Sequence, residues 1–138
     1  RYGWLRDAGL TLDALQRLGY HEESLRFFDW LGSLGVRHFG DLQIAYAVDG
    51  GPVPVERTLD HLSGYRGSRP VRVGNAAAGQ TQLDVYGHVL EAISLCLERM
   101  PRPMDPGLRQ IARRLADGAA ARWGGPDRGP WETRGEPR

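Results

Sequence analysis

Lysine is absent from the 138 residues, and all 18 basic positions are arginine. That fits a GC-rich coding bias first and a demand for planar, bidentate donors second. Cysteine is nearly absent as well. Cys96 stands alone, which excludes an internal disulfide framework and leaves a reducing compartment or indifference to redox; a cytoplasmic location is the expectation. No apolar run reaches the length of a membrane span, so no membrane partner is expected. Charge of one sign is not in excess; the net charge of +1 argues against nucleic acid as a partner. The four histidines, His21, His38, His61 and His88, are scattered without ligand spacing among themselves or to Cys96, so no metal site is expected. A nucleophile elbow is lacking too, and Cys96 reads as a buried structural thiol. Nothing in the sequence specifies an oligomeric state.

What is present suffices for a core: 41% hydrophobic and 25% charged residues. Asp7 to Leu18 predicts a helix with apolar residues on two stripes, Leu10, Ala14 and Leu18 on one and Ala8, Leu12 and Leu15 on the other, which implies burial on more than one side. Gly19 ends it. A second helix follows from Glu22 to Leu34, with Leu25, Phe28, Leu31 and Leu34 inward, and the short connection makes a helical hairpin. The period then changes. Leu42, Ile44, Tyr46 and Val48 alternate, Asp49-Gly50-Gly51 signals a turn, and Val53 and Val55 alternate again; Pro52 and Pro54 restrict this return to an edge strand. Gly64 to Gly74 is rich in glycine and arginine and too irregular for an element. The third helix carries Leu83, Tyr86, Leu90, Ile93, Leu97 and Met100 at helical spacing, with Val85, Val89, Ala92 and Cys96 beside them. The fourth is capped by Asp105, has Pro106 at its first position, and runs through Leu108, Ile111, Leu115, Ala119 and Trp123 to Gly124. The expected class is all-α: four helices in hairpins, with a short β-hairpin in a loop.

Three segments carry candidate chemistry. Arg66, Arg69 and Arg72 alternate with glycines and could grip a phosphate, a carboxylate or sugar hydroxyls; equally, they could pin the loop through ion pairs to helix carboxylates such as Asp84. Trp4-Leu5-Arg6-Asp7 places an aromatic, a fixed cation and an anion at the start of a helix, where Asp7 alone reads as a helix cap and Arg6–Asp7 as a plain ion pair. Pro130-Trp131-Glu132 puts one carboxylate beside a tryptophan in a loop. Apolar surroundings suit such a group to general-acid work, while Arg128 and Arg134 oppose it, and the bland alternative is an exposed glutamate.

In order, these segments resemble glycoside hydrolase family fifteen, the glucoamylases and their bacterial trehalase-like relatives. Arg1-Tyr2 through Asp7-Ala8 and Leu42-Gln43 through Asp49-Gly50 resemble the start of the catalytic domain. The run Gly64-Tyr65-Arg66-Gly67-Ser68-Arg69-Pro70-Val71-Arg72-Val73-Gly74-Asn75-Ala76-Ala77 and Gln82-Leu83-Asp84-Val85-Tyr86-Gly87 resemble the bacterial branch. Pro126-Asp127 leading to Trp131-Glu132 and Arg134-Gly135 is similar to the segment that holds the general acid. The resemblance implies part of an (α/α)6 toroid of helical hairpins, with residues 1–138 a single partial domain truncated at both ends. It implies an inverting hydrolase of α-glucosidic bonds in carbohydrate catabolism that needs no cofactor. The partner would be an α-linked glucose disaccharide or oligosaccharide, trehalose first and maltose or starch-type glucans second.

By the same resemblance Glu132 is the general acid, and Arg6 and Asp7 hydrogen-bond the reacting glucose. Trp4 and Trp131 wall its pocket, and Arg69 and Asn75 have binding roles. The general base is expected from a glutamate later than Arg138, so the 138 residues alone are expected to be inactive. Gly3, Gly9, Ala45, Ala47 and Pro130 depart from the family pattern, at positions expected to touch the pocket wall and the approach to Glu132. Two alternatives stay open: an α-glucoside phosphorylase on a related toroid, with the Arg66–Arg72 loop holding phosphate, and a non-catalytic carbohydrate-binding helical module.

Overall fold

The chain opens on a strand that the hydrophobic period did not show. In the computed structural model, which describes residues 2–34, 42–99, 103–132 and 136–137, Tyr2–Trp4 forms strand β1 and leads directly into helix α1, Leu5–Arg17. Arg1, His38, Met100, Arg134, Gly135 and Arg138, invoked above, lie outside the described residues. Helix α2 spans His21–Ser33, strand β2 Ala45–Ala47, strand β3 Arg57–Thr58, strand β4 Arg72–Val73, helix α3 Asp84–Arg99 and helix α4 Pro106–Arg122. Single 3-10 turns lie at Tyr65–Gly67 and Ala76–Gly79.

The alternating segment at 42–48 does become a strand, but its partner is remote. β2 pairs antiparallel with β1 in the register Tyr2↔Ala47, Gly3↔Tyr46 and Trp4↔Ala45. The expected return strand contributes only one bridge, Tyr46↔Pro52, because Pro52 and Pro54 have no N–H to give a ladder. The Asp49-Gly50-Gly51 turn does form, closed by Gly50 N–H to the Ala47 carbonyl at 2.8 Å and Gly51 N–H to Asp49 Oδ1 at 3.1 Å. The stretch from Gly64 to Gly74, expected to hold no element, contains β4, which pairs with β3 as Arg57↔Val73 and Thr58↔Arg72.

Pairing with β2 also fixes how α1 begins. Its N-cap is Trp4, which offers no side-chain cap; instead the Leu5 N–H donates to the Ile44 carbonyl at 3.0 Å, satisfying one of the donors a helix start leaves open. Asp7 is therefore not the cap its residue type suggested. It sits in the first turn, where the helix dipole favours an anion. The capping expectation for α4 holds: Asp105 Oδ1 accepts from Gly107 N–H at 2.8 Å and Leu108 N–H at 3.2 Å, with Pro106 at the first position.

All four helices feed one core. Leu5 and Leu12 of α1, Phe28 and Leu31 of α2, Val85, Val89, Ala92, Ile93 and Cys96 of α3, and Leu108, Ile111 and Leu115 of α4 are buried together with Ile44 and Tyr46. α1 packs most extensively on α3. Gly9 permits that approach, since a Cβ there would come within 3.0 Å of the His88 carbonyl oxygen. Gly9 thus lies at the helix crossing, and Gly3, Ala45 and Ala47 lie in the β1–β2 pairing. Of the two stripes on α1, only the one with Leu12 is covered. Leu10 and Leu18 are exposed, and so is Trp123 at the end of α4. α2 anchors the sheet: the Trp30 ring meets Tyr46 edge-on at 6.3 Å, and its Nε1 donates to the Val48 carbonyl at 3.2 Å. Among the described residues no helix is long and apolar enough to cross a membrane.

Candidate active site

Arg6, the second residue of α1, collects groups from two distant parts of the chain, Gln82 and the 130–132 loop, and from its neighbour Asp7. Its Nη1 donates to the Pro130 carbonyl at 3.0 Å and to Gln82 Oε1 at 3.4 Å. Its Nη2 lies 3.4 Å from Glu132 Oε1 and 3.6 Å from Asp7 Oδ2. One nitrogen thus serves two neutral acceptors and the other two carboxylates, the forked use that guanidinium geometry allows and an ammonium does not. The guanidinium carbon is 6.0 Å from the Trp4 ring centroid, at the outer reach of a cation–π contact. Arg6 itself is covered, its side chain 18% exposed, whereas Glu132 is 32% and Asp7 64% exposed. The cation is the covered member and the two carboxylates are the more exposed ones, so both signs of charge are available to hydrogen-bond a ligand rich in hydroxyl groups.

The loop carrying Glu132 is held in an uncommon conformation. Glu132 has φ +52°, a left-handed backbone that non-glycine residues rarely adopt, and its N–H donates to the Gly129 carbonyl at 3.3 Å. Residues kept in such sparsely populated regions gather at functional sites. Two bonds sew the loop to the segment before α3. Leu83 N–H donates to Asp127 Oδ1 at 3.2 Å, and Arg128 N–H donates to the Thr81 carbonyl at 3.1 Å.

Trp4, Arg6, Asp7 and Glu132 are therefore brought together, as their spacing could not have shown. Trp131 is not packed with them; it is 88% exposed. Arg69 stands apart, lining a concavity of about 310 Å³ with Thr58, Leu59, Asp60 and Leu62. Asn75 caps a turn, its Oδ1 accepting from Ala77 N–H at 2.8 Å and its own N–H donating to the Pro54 carbonyl at 3.1 Å. The arginine loop is not pinned to Asp84, whose Oδ2 lies 3.8 Å from His88 Nε2; Arg72 reaches Glu56 at 3.6 Å, and Arg66 lies over the Tyr65 ring at 5.3 Å. Reading by residue type missed Gln82 and the Pro130 carbonyl. Gln82 does lie within one of the quoted motifs, but an uncharged amide gives no signal of its own, and a backbone carbonyl gives none at all. Among the described residues no three His, Cys, Asp or Glu side chains gather into a metal-binding group.

A family model described as glycosyl hydrolases family 15 matches residues 1–138. The chain belongs to this family. Among curated proteins it is similar to a trehalase of Mycolicibacterium smegmatis, 38% identical over 144 residues that take in 100% of the chain and 21% of that protein. It is equally similar to a trehalase of Mycobacterium tuberculosis, at 38% with 100% and 21% covered. A trehalase of Thermoplasma acidophilum is 34% identical, with 100% of the chain and 23% of that protein covered. The chain thus spans between a fifth and a quarter of the length of these relatives. No solved structure matches it significantly. Within family 15 the four helices and their short sheets form part of a helical toroid.

Proposed function

We propose that the protein carrying this chain hydrolyses the α-glucosidic bond of trehalose with inversion, and that Glu132 is its general acid. The observation that carries the reading is the Arg6 guanidinium, which joins its neighbour Asp7 to Glu132, 126 residues from Arg6 along the chain. The names of the family relatives support trehalose over maltose or starch.

Arg6 engages Glu132 through Oε1, so Oε2 is the oxygen placed to carry a proton to the glycosidic oxygen. As that proton transfers, the bond from the glycosidic oxygen to the anomeric carbon breaks, and one glucose leaves. Asp7 and Arg6 hold the hydroxyls of the other glucose, which develops positive charge at the anomeric carbon. Water adds from the opposite face and gives up its proton to a base. Inversion requires that base to stand roughly 6.5–9.5 Å from the acid, leaving room for the water. No residue of 1–138 is assigned that role, and the segment supplies the acid side of the pocket.

The test is to incubate the full-length protein with trehalose and follow the products by NMR at early times. Inverting hydrolysis yields one α- and one β-glucose from each trehalose, without phosphate. Glucose 1-phosphate formed only when phosphate is added would establish a phosphorylase instead. Two α-glucoses would remove inversion, and no turnover of trehalose would remove the substrate.

A further inference from the structure

We infer that Gln82 is a positioning residue for this site, acting on the reaction through Arg6; the inference rests on the reading of Arg6 and Glu132 given above. Gln82 is 3% exposed, and both ends of its amide are engaged. Its Oε1 accepts from Arg6 Nη1 at 3.4 Å, and its Nε2 donates to Gln80 Oε1 at 3.1 Å. A buried amide satisfied at both ends has one orientation, because turning it over would set its NH2 group against the guanidinium. The backbone on either side of Gln82 is sewn to the acid loop, through the Thr81 carbonyl to Arg128 N–H and through Leu83 N–H to Asp127. Arg6 Nη1 then closes the seam by taking one acceptor from each side, Gln82 Oε1 and the Pro130 carbonyl.

The consequence is directional. With Nη1 occupied by these neutral acceptors, Nη2 is the nitrogen presented to Glu132 and Asp7. Without Gln82 Oε1, the guanidinium keeps only the Pro130 carbonyl on that side and can rotate its fork toward the carboxylates, closing on the oxygen that must deliver the proton.

The experiment is a double-mutant cycle in the full-length protein, with trehalose as substrate. Gln82→Met keeps the buried volume and removes the acceptor. Arg6→Lys keeps the charge and removes the fork. Expected is a loss of roughly tenfold to a hundredfold in kcat for Gln82→Met with Arg6 present, the span of one hydrogen bond to a charged group, with KM little changed. In the Arg6→Lys background the same change should cost less than about twofold, since the partner is already gone. Gln82→Glu, which restores an acceptor, should recover part of the loss. Equal losses in both backgrounds, or a loss confined to the melting temperature with kcat of the folded protein intact, would overturn the inference. Full activity of Arg6→Lys together with Glu132→Gln would instead overturn the active-site reading itself, a different failure with a different signature.

Discussion

Two arginine-bearing regions of this molecule, similar in composition, do opposite things with their charge. Arg6 is covered and contacts groups 76, 124 and 126 residues away. The arginines of the 57–73 segment are exposed, and two of them meet partners close by, Arg66 the ring of Tyr65 and Arg72 the carboxylate of Glu56. A cation that gathers remote, partly buried partners has given up hydration for fixed geometry, which a chemical site needs. A cation with a neighbouring partner in water adds little, since exposed ion pairs contribute only about 0–1 kcal/mol. Glycine content does not separate the two regions, for Gly129 and Gly64 both take left-handed backbone. Reach along the chain does.

The largest effect that sharpens this contrast is expected at Glu132. Glu132→Gln should lower kcat for trehalose by roughly 10²–10⁴-fold, the usual cost of a missing general acid, measured as initial rates of glucose release. Next comes Asp7→Asn: if Asp7 holds the reacting sugar by charged hydrogen bonds, the change should lower kcat/KM roughly tenfold to a hundredfold. Its melting temperature should barely move, because Asp7 is not the cap of α1 and its dipole interaction contributes only about 0.3–1 kcal/mol. A large loss of stability with unchanged kinetics would return Asp7 to a structural role.

In the exposed region the expected effects are of another kind. Gly74 has φ +83°, and a Cβ there would collide with the carbonyl oxygens of Pro54 and Val55. Gly74→Ala should therefore destabilise the β3–β4 segment by about 1–3 kcal/mol in a denaturant melt while the folded fraction keeps its kcat. Arg69→Ala should change kcat/KM by less than about twofold. A loss as large as that at Asp7 would bring the loop into the site and break the comparison.

The smallest expected effect concerns pH. Burial raises the Tyr46 phenol above its ordinary pKa of 10.0, opposed by the Gln43 N–H that its oxygen accepts and reinforced by nearby Tyr86. The folded state therefore holds the proton more tightly than the unfolded chain. Stability from this group is complete below pH 10 and lost as pH rises through the raised value. Tyr46→Phe should flatten that alkaline limb in melts taken from pH 9 to 11.

Much of this was legible from residues, and the boundary is physical. Helices α3 and α4 follow from apolar spacing and from Asp105-Pro106, because those signals are local. The partner of β2 was not legible: Tyr2–Trp4 lies some forty residues away, and strand alternation does not name the strand it pairs with. Leu10 and Leu18 show the opposite limit, since an apolar stripe is visible in sequence whether or not something covers it. The segments holding Arg6, Asp7 and Glu132 stand out by residue type, but the roles expected of them rest on family resemblance. Gln82 and the Pro130 carbonyl were passed over because their part consists in where they stand.

The most direct measurement of the central claim sets the Glu132→Gln protein against two leaving groups. Trehalose needs a proton on its departing oxygen, whereas α-glucosyl fluoride leaves with far less help. If Glu132 is the acid, the variant loses roughly 10²–10⁴-fold on trehalose and far less on the fluoride. Equal losses on both substrates, or full activity on trehalose, would contradict it.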